Sequence, residues 1–238
     1  MLPRKRPPFA VLFTIVALAA SAGASLYIPK SPAPRPHAWL PAASLVPIQS
    51  RNPDDLAAGK LLVASRGLGD PNFSQTVVLL THYDQQGVLG LVLNRRTNVP
   101  ISQVLDLKAA KDLSDPVYLG GPVELSTVFA LLQSTAKIEK ADNLFGSVYL
   151  ISDKDLFEQT ISAHPDPAVF HVYLGYAGWT RDQLRAEVKL GAWFVLPADA
   201  STVFNPDPGS LWPKMIQKTE LNWAKTPSIP SLVAARRN

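Results

Sequence analysis

The sequence predicts an α+β fold, a single domain of mixed sheets with flanking helices behind an N-terminal hydrophobic segment. Three observations carry that reading. Short runs rich in β-branched and aliphatic residues outnumber the helical stretches. They do not alternate with helices as parallel βαβ units require. Near its start the chain also carries twenty uncharged residues, Phe9 to Ile28, ahead of a proline-dense stretch and the first strand-like run.

The N-terminal run follows Arg4, Lys5 and Arg6 and is about as long as a helix needs to cross the hydrocarbon layer. It fits two readings. A cleaved signal would use Phe9 to Ala20 and a small-residue exit at Ala20-Ser21-Ala22 or Ala22-Gly23-Ala24. An uncleaved anchor would hold the protein in the membrane through residues 9–28, with the basic end in the cytoplasm. Either reading puts the bulk of the chain outside the cytoplasmic face. Residues 29–56 read as a proline-rich tether, because proline fixes φ and withholds a donor. The domain is expected over residues 57–224, and residues 225–238 as a flexible basic tail.

The net charge of +4 belongs to these ends. Residues 57–224 carry 14 Lys and Arg against 17 acids, which weighs against phosphate-backbone binding to nucleic acid. Cysteine is absent, which excludes thiolate nucleophiles, disulfides and cysteine-ligated metals.

Within the domain, KLLVAS (60–65) reads as a strand, followed by the turn RGLGDPNF. TVVLLTHY (76–83) and VLGLVLN (88–94) read as a hairpin across DQQG. ISQVLDL (101–107) has helical spacing. VYLGGPV and TVFALLQ (127–133) are two further strands, joined through Gly120, Gly121 and Pro122, and SVYLIS (147–152) is another. Ser152 is the expected cap of the next helix, with Asp155 at its third position and a stop before His164-Pro165. VFHVYLGY (169–176) and LGAWFVLP (190–197) are strands, and residues 198–222 read as short helical turns.

The stretch YLGYAGWTRDQL reads as strand, turn and helix start. The strand is expected to end at Gly175, with Gly175 and Gly178 permitting a sharp reversal. Thr180 and Gln183 form a capping box, and Trp179 and Leu184 a hydrophobic staple. Tyr176 and Arg181 are left over. An arginine beside free helix N–H groups suits a small anion.

The four histidines show no metal-ligand spacing, and nucleophile-elbow, phosphate-loop and zinc-protease motifs are absent. No catalytic residue, cofactor or metal is expected. His82 and His171 lie on strands, where a paired structural role is the simpler reading. Asp70, Asn72, Asn94 and Arg95 are the best polar candidates for a ligand, at strand ends where loops converge. Against that, Asp70-Pro71-Asn72 suits a turn closed by side-chain-to-backbone bonds.

Five pieces in order, LLVASRGLGDPNFSQTVVLL, GVLGLVLNRR, VYLGGPV, LGYAGWTRDQL and GAWFVLPAD, resemble the bacterial YqgE/AlgH family over about residues 57–224. The resemblance implies one domain of coiled, branching sheets. It brings the label of transcriptional regulator but no agreed activity and no catalytic residues. This chain departs from the family pattern at Thr180-Arg181-Asp182, where a glycine is common, and at Leu132-Gln133, where a Leu-His is usual. Family members also usually lack the hydrophobic amino terminus. The expected function is therefore a non-enzymatic binding or regulatory protein at the bacterial envelope, anchored or exported. Its partner would be another protein or a small anionic ligand. A cytoplasmic transcriptional regulator is the alternative, and an enzyme built on Asp70, Asn94 and Arg95 is the second.

Overall fold

A computed structural model of the chain describes residues 52–224, so the residue 9–28 segment, most of the proline-rich stretch and the basic tail lie outside the described residues. Ten strands form one sheet whose main path runs β10-β1-β2-β3-β9-β6-β8-β7. In chain order the strands are β1 (Lys60–Ala64), β2 (Val77–Tyr83), β3 (Val88–Val92), β4 (Arg96–Pro100) and β5 (Pro116–Leu119), then β6 (Val123–Gln133), β7 (Asp142–Phe145), β8 (Val148–Ile151), β9 (Phe170–Trp179) and β10 (Trp193–Pro197). The helices are α1 (Ile101–Val104), α2 (Lys154–Ser162), α3 (Arg181–Lys189), α4 (Ala200–Val203) and α5 (Leu211–Ala224). The sheet dominates the fold and curls. Gly59, just before β1, lies so close to β7 that an added Cβ would sit 2.7 Å from the Leu144 carbonyl.

The expected β2–β3 hairpin forms, closed by the Asp84 N–H donating to the Gly87 carbonyl and by the Asp84 carboxylate accepting from Gln86 and Gly87. Pairing across it is antiparallel, Leu79 opposite Leu91, with a bulge between Leu80 and His82. Two strands escape the sequence reading. β4 (RTNVP) is short, polar and mostly exposed, and β7 (DNLF) pairs two exposed polar residues with two half-buried apolar ones, so neither shows an apolar alternation. Only the first turn of 101–107 is helical, since Leu105 and Leu107 are extended. The cap of α2 is Asp153, not Ser152. Its charged carboxylate accepts from the Leu156 N–H at 2.9 Å and starts the helix one residue later. The 198–222 region contains a fourteen-residue helix, α5, rather than short turns alone.

The strand β9 does not end at Gly175. It continues to Trp179 and changes neighbours midway. Its first half pairs antiparallel with β6 and parallel with β5, Tyr118 opposite Tyr173. Its second half pairs with β3, Val88 opposite Trp179. Gly175, at φ 66°, is the kink between the two. The Gly120-Gly121-Pro122 link fills the fork. Gly120 donates to the Leu174 carbonyl and accepts from Val92, each at 2.8 Å. A Cβ on Gly121 would lie 2.1 Å from the Tyr176 carbonyl carbon, so only glycine fits there.

Two cores follow from this split. The larger gathers β1–β3, α3 and α5 around Leu61, Leu79, Trp193 and Ile216, and the smaller gathers α1 and α2 against Val128, Ile151, Phe170 and Val172. Side chains alternate across β9, so Phe170 and Val172 enter the smaller core while Tyr173 enters the larger.

Candidate functional site

The residues singled out from sequence divide into three places. Asp70, Asn72, Asn94 and Arg95 meet where the 66–76 loop crosses the end of β3. The Asp70 carboxylate accepts from the Asn72 N–H at 2.8 Å, and its carbonyl accepts from Phe73 and Ser74. Asn94 spans the loop, its Oδ1 accepting from the Val77 N–H at 2.9 Å and its Nδ2 donating to the Gln75 carbonyl at 2.8 Å. That bond helps fix Gln75 at a positive φ of 56°. Arg95 donates to the Pro71 carbonyl. Burial lowers its pKa, and the Asp70 carboxylate acts in the opposite sense. Their described bonds all build the loop.

Aromatic packing locks the same loop. Phe73 stacks on Trp179 at 5.3 Å and meets Trp193 edge-on at 5.7 Å. Both indole N–H groups donate to one oxygen of Glu187, Trp179 at 3.1 Å and Trp193 at 2.8 Å. The capping box around Thr180 is half formed. Thr180 Oγ1 accepts from the Gln183 N–H at 3.1 Å, but the Gln183 amide donates to the other Glu187 oxygen. Trp179 and Leu184, the expected staple, are both buried in the larger core. Glu187 was missed from sequence because two of its partners, Trp193 and Trp179, are six and eight residues away on other elements.

The second place is a cleft of about 290 Å³ between the β2–β3 hairpin loop and the start of α3. Gln85, Gln86, Thr180, Arg181, Asp182 and Arg185 line it. Arg181 donates to the Tyr83 hydroxyl and lies 5.3 Å above that ring. Arg185 is bound to the Asp54 carboxylate at 2.8 Å and to the Pro53 carbonyl. Those bonds fasten a 3-10 turn at Pro53–Asp55 to α3, and Leu56 follows into the larger core. Hydrogen bonding to Asp54 raises the pKa of Arg185.

Tyr176 belongs to neither place. It packs edge-on against Phe129, and burial together with Glu124 raises its phenol pKa. His82 pairs with Asp84 at 2.8 Å. Among the described residues no group of His, Asp or Glu could hold a metal ion, and no helix is long and apolar enough to cross a membrane.

Relatives carry the same body. A solution structure of the AlgH protein from Pseudomonas aeruginosa is 28% identical, with a TM-score of 0.53, and covers 76% of this chain and 94% of its own. A crystal structure from Corynebacterium diphtheriae, at 21% identity and a TM-score of 0.55, shares the fold over 68% of this chain and 87% of its own. A UPF0301 protein of Streptomyces avermitilis is 36% identical over 189 residues, which is 73% of this chain and 94% of that protein. Another from Chlorobium limicola is 30% identical over 183 residues, 75% of this chain and 97% of that one. With the AlgH-like family model matching residues 61–224, the chain belongs to the AlgH-like (UPF0301) family.

Proposed function

We propose that this chain is a non-enzymatic binding protein of the bacterial envelope whose α3 cleft receives a small anionic group, a carboxylate or phosphate. One observation carries the reading: the cleft gathers two guanidinium groups, two side-chain amides and the start of a nine-residue helix. These are donors suited to holding an anion. Arg185 is already neutralised by Asp54, whereas Arg181 is held by a neutral phenol and brings its charge to the cleft. The cleft lining contains no Ser, Cys, His or Lys, so the groups that usually act as nucleophile or base are not among its walls apart from the Thr180 cap and Asp182.

The test is titration of the full-length chain with inorganic phosphate and with succinate, read by chemical shifts of the Gln85, Gln86 and Arg181 amides. Saturable shifts that vanish in Arg181→Ala support the proposal. Flat spectra for both anions would overturn it. The envelope location rests on the uncharged Phe9–Ile28 run behind Arg4, Lys5 and Arg6. Protease shaving of spheroplasts followed by intact mass tests it, and complete protection with cytosolic fractionation would return the family's regulatory label to first place.

A further inference from the structure

The third group of polar side chains lies on the first half of β9, away from both places above. The His171 ring meets two aromatic neighbours, Tyr118 of β5 stacked at 4.6 Å and Phe204 at the end of α4 tilted by 55° at 5.2 Å. Its Nδ1 and the hydroxyl of Tyr173, two residues on and on the same face, are buried without a hydrogen-bond partner. Phe204 closes a short segment, a four-residue helix capped by Asp199 and followed by a 3-10 turn at Pro208–Ser210.

We propose that the Tyr118–His171–Phe204 stack is an acid-released latch. It holds α4 and the turn after it on the sheet while His171 is neutral and frees them when the imidazole takes a proton.

The charges around His171 favour that behaviour. Burial is the main influence, the Arg96 guanidinium from β4 adds to it, and only the Pro167 backbone favours the charged form, leaving a pKa of about 4 against an ordinary 6.5. The titratable neighbours on the sheet side, Tyr118 and Tyr173, have their phenols pushed up by burial and stay neutral. On the covering side Asp199 is engaged with Ser201, Thr202 and Lys218, which hold its pKa below the ordinary value against the opposing effect of burial. With Nδ1 unpartnered, the Pro167 backbone is the one described group that favours the incoming proton, and burial outweighs it.

The released imidazole binds a proton more readily than the stacked one. The latch is therefore tight above about pH 6.5 and weakens as pH falls, reaching full loss below about 4. Linkage between those two values raises the opening constant roughly 30-fold at pH 5 and roughly 300-fold well below pH 4.

Hydrogen exchange of the full-length chain at pH 7.5 and 5.0, corrected for intrinsic rates, reads this directly. The Val203 and Phe204 amides, which donate to Asp199 and Ala200, report on α4, and Leu79 and Leu91 report on the sheet. The expected result is α4 protection well below that of the sheet at both pH values, falling roughly 30-fold at pH 5, with no such loss in His171→Gln. Protection on α4 equal to that of the sheet, no loss on α4, or a loss that persists in His171→Gln would each overturn the latch. Should that variant not fold, the wild-type imidazole carbon resonance decides: titration near pH 4 supports the proposal, and titration near pH 6.5 overturns it.

Discussion

The two halves of β9 solve the same problem in opposite ways. At its C-terminal end, Trp179 and Trp193 are buried and both indole N–H groups end on Glu187. At its N-terminal end, half-buried His171 and fully buried Tyr173 carry buried polar atoms that find no hydrogen-bond partner. Burying a polar group is tolerable when it is hydrogen-bonded and costly when it is not. The first half holds potential for change, and the second holds the structure in one arrangement.

Breaking the junction between the halves should have the largest effect. Gly121→Ala would drive a Cβ into the Tyr176 backbone, where only main-chain movement can make room. Loss of more than about 4 kcal/mol, seen as failure to refold or a collapse of the melting temperature, is expected. Glu187→Ala comes next. It strands two indole donors in the interior, and denaturant titration should report a loss of about 3 kcal/mol, with Glu187→Gln milder because it keeps one acceptor oxygen.

The third test is acid. Because His171 titrates at about 4 when folded and near 6.5 when free, stability is fully present above about pH 6.5 and declines below it. About 2 kcal/mol should be lost between pH 7.5 and 5, and His171→Gln should flatten that slope. Thr180→Ala removes the α3 cap and should cost about 1 kcal/mol. Smallest of all, Tyr173→Phe deletes a hydroxyl that has no partner. Its melting temperature should hold or rise slightly, whereas a clear fall would show that the hydroxyl is engaged and the two halves are alike.

The sequence disclosed elements whose signals are local and concealed those that depend on distant chain. The β2–β3 hairpin was legible because its apolar runs and the DQQG loop are adjacent. β4 and β7 were not, since RTNVP and DNLF become strands only through a neighbour that supplies the pairing. Gly175 looked like a stop because glycine permits a sharp reversal, but here its positive φ bends the strand onward. The Asp70 turn was legible for the same local reason as the hairpin. Arg181 stood out in the sequence, but Gln85 and Gln86 did not. The bond between Arg181 and Tyr83 spans 98 residues, and no nearby pattern announces such a meeting.

Because β9 is the strand that joins β3 to β6, the order of synthesis matters. Ribosomes finish β1 through β8 before Phe170–Trp179 exists, so the two halves of the sheet wait with their inner edges open. Such edges are templates for wrong pairing, and contacts this far apart in the chain form slowly. The nascent protein therefore passes through a period in which a chaperone has more to protect than in a fold whose strands pair in sequence.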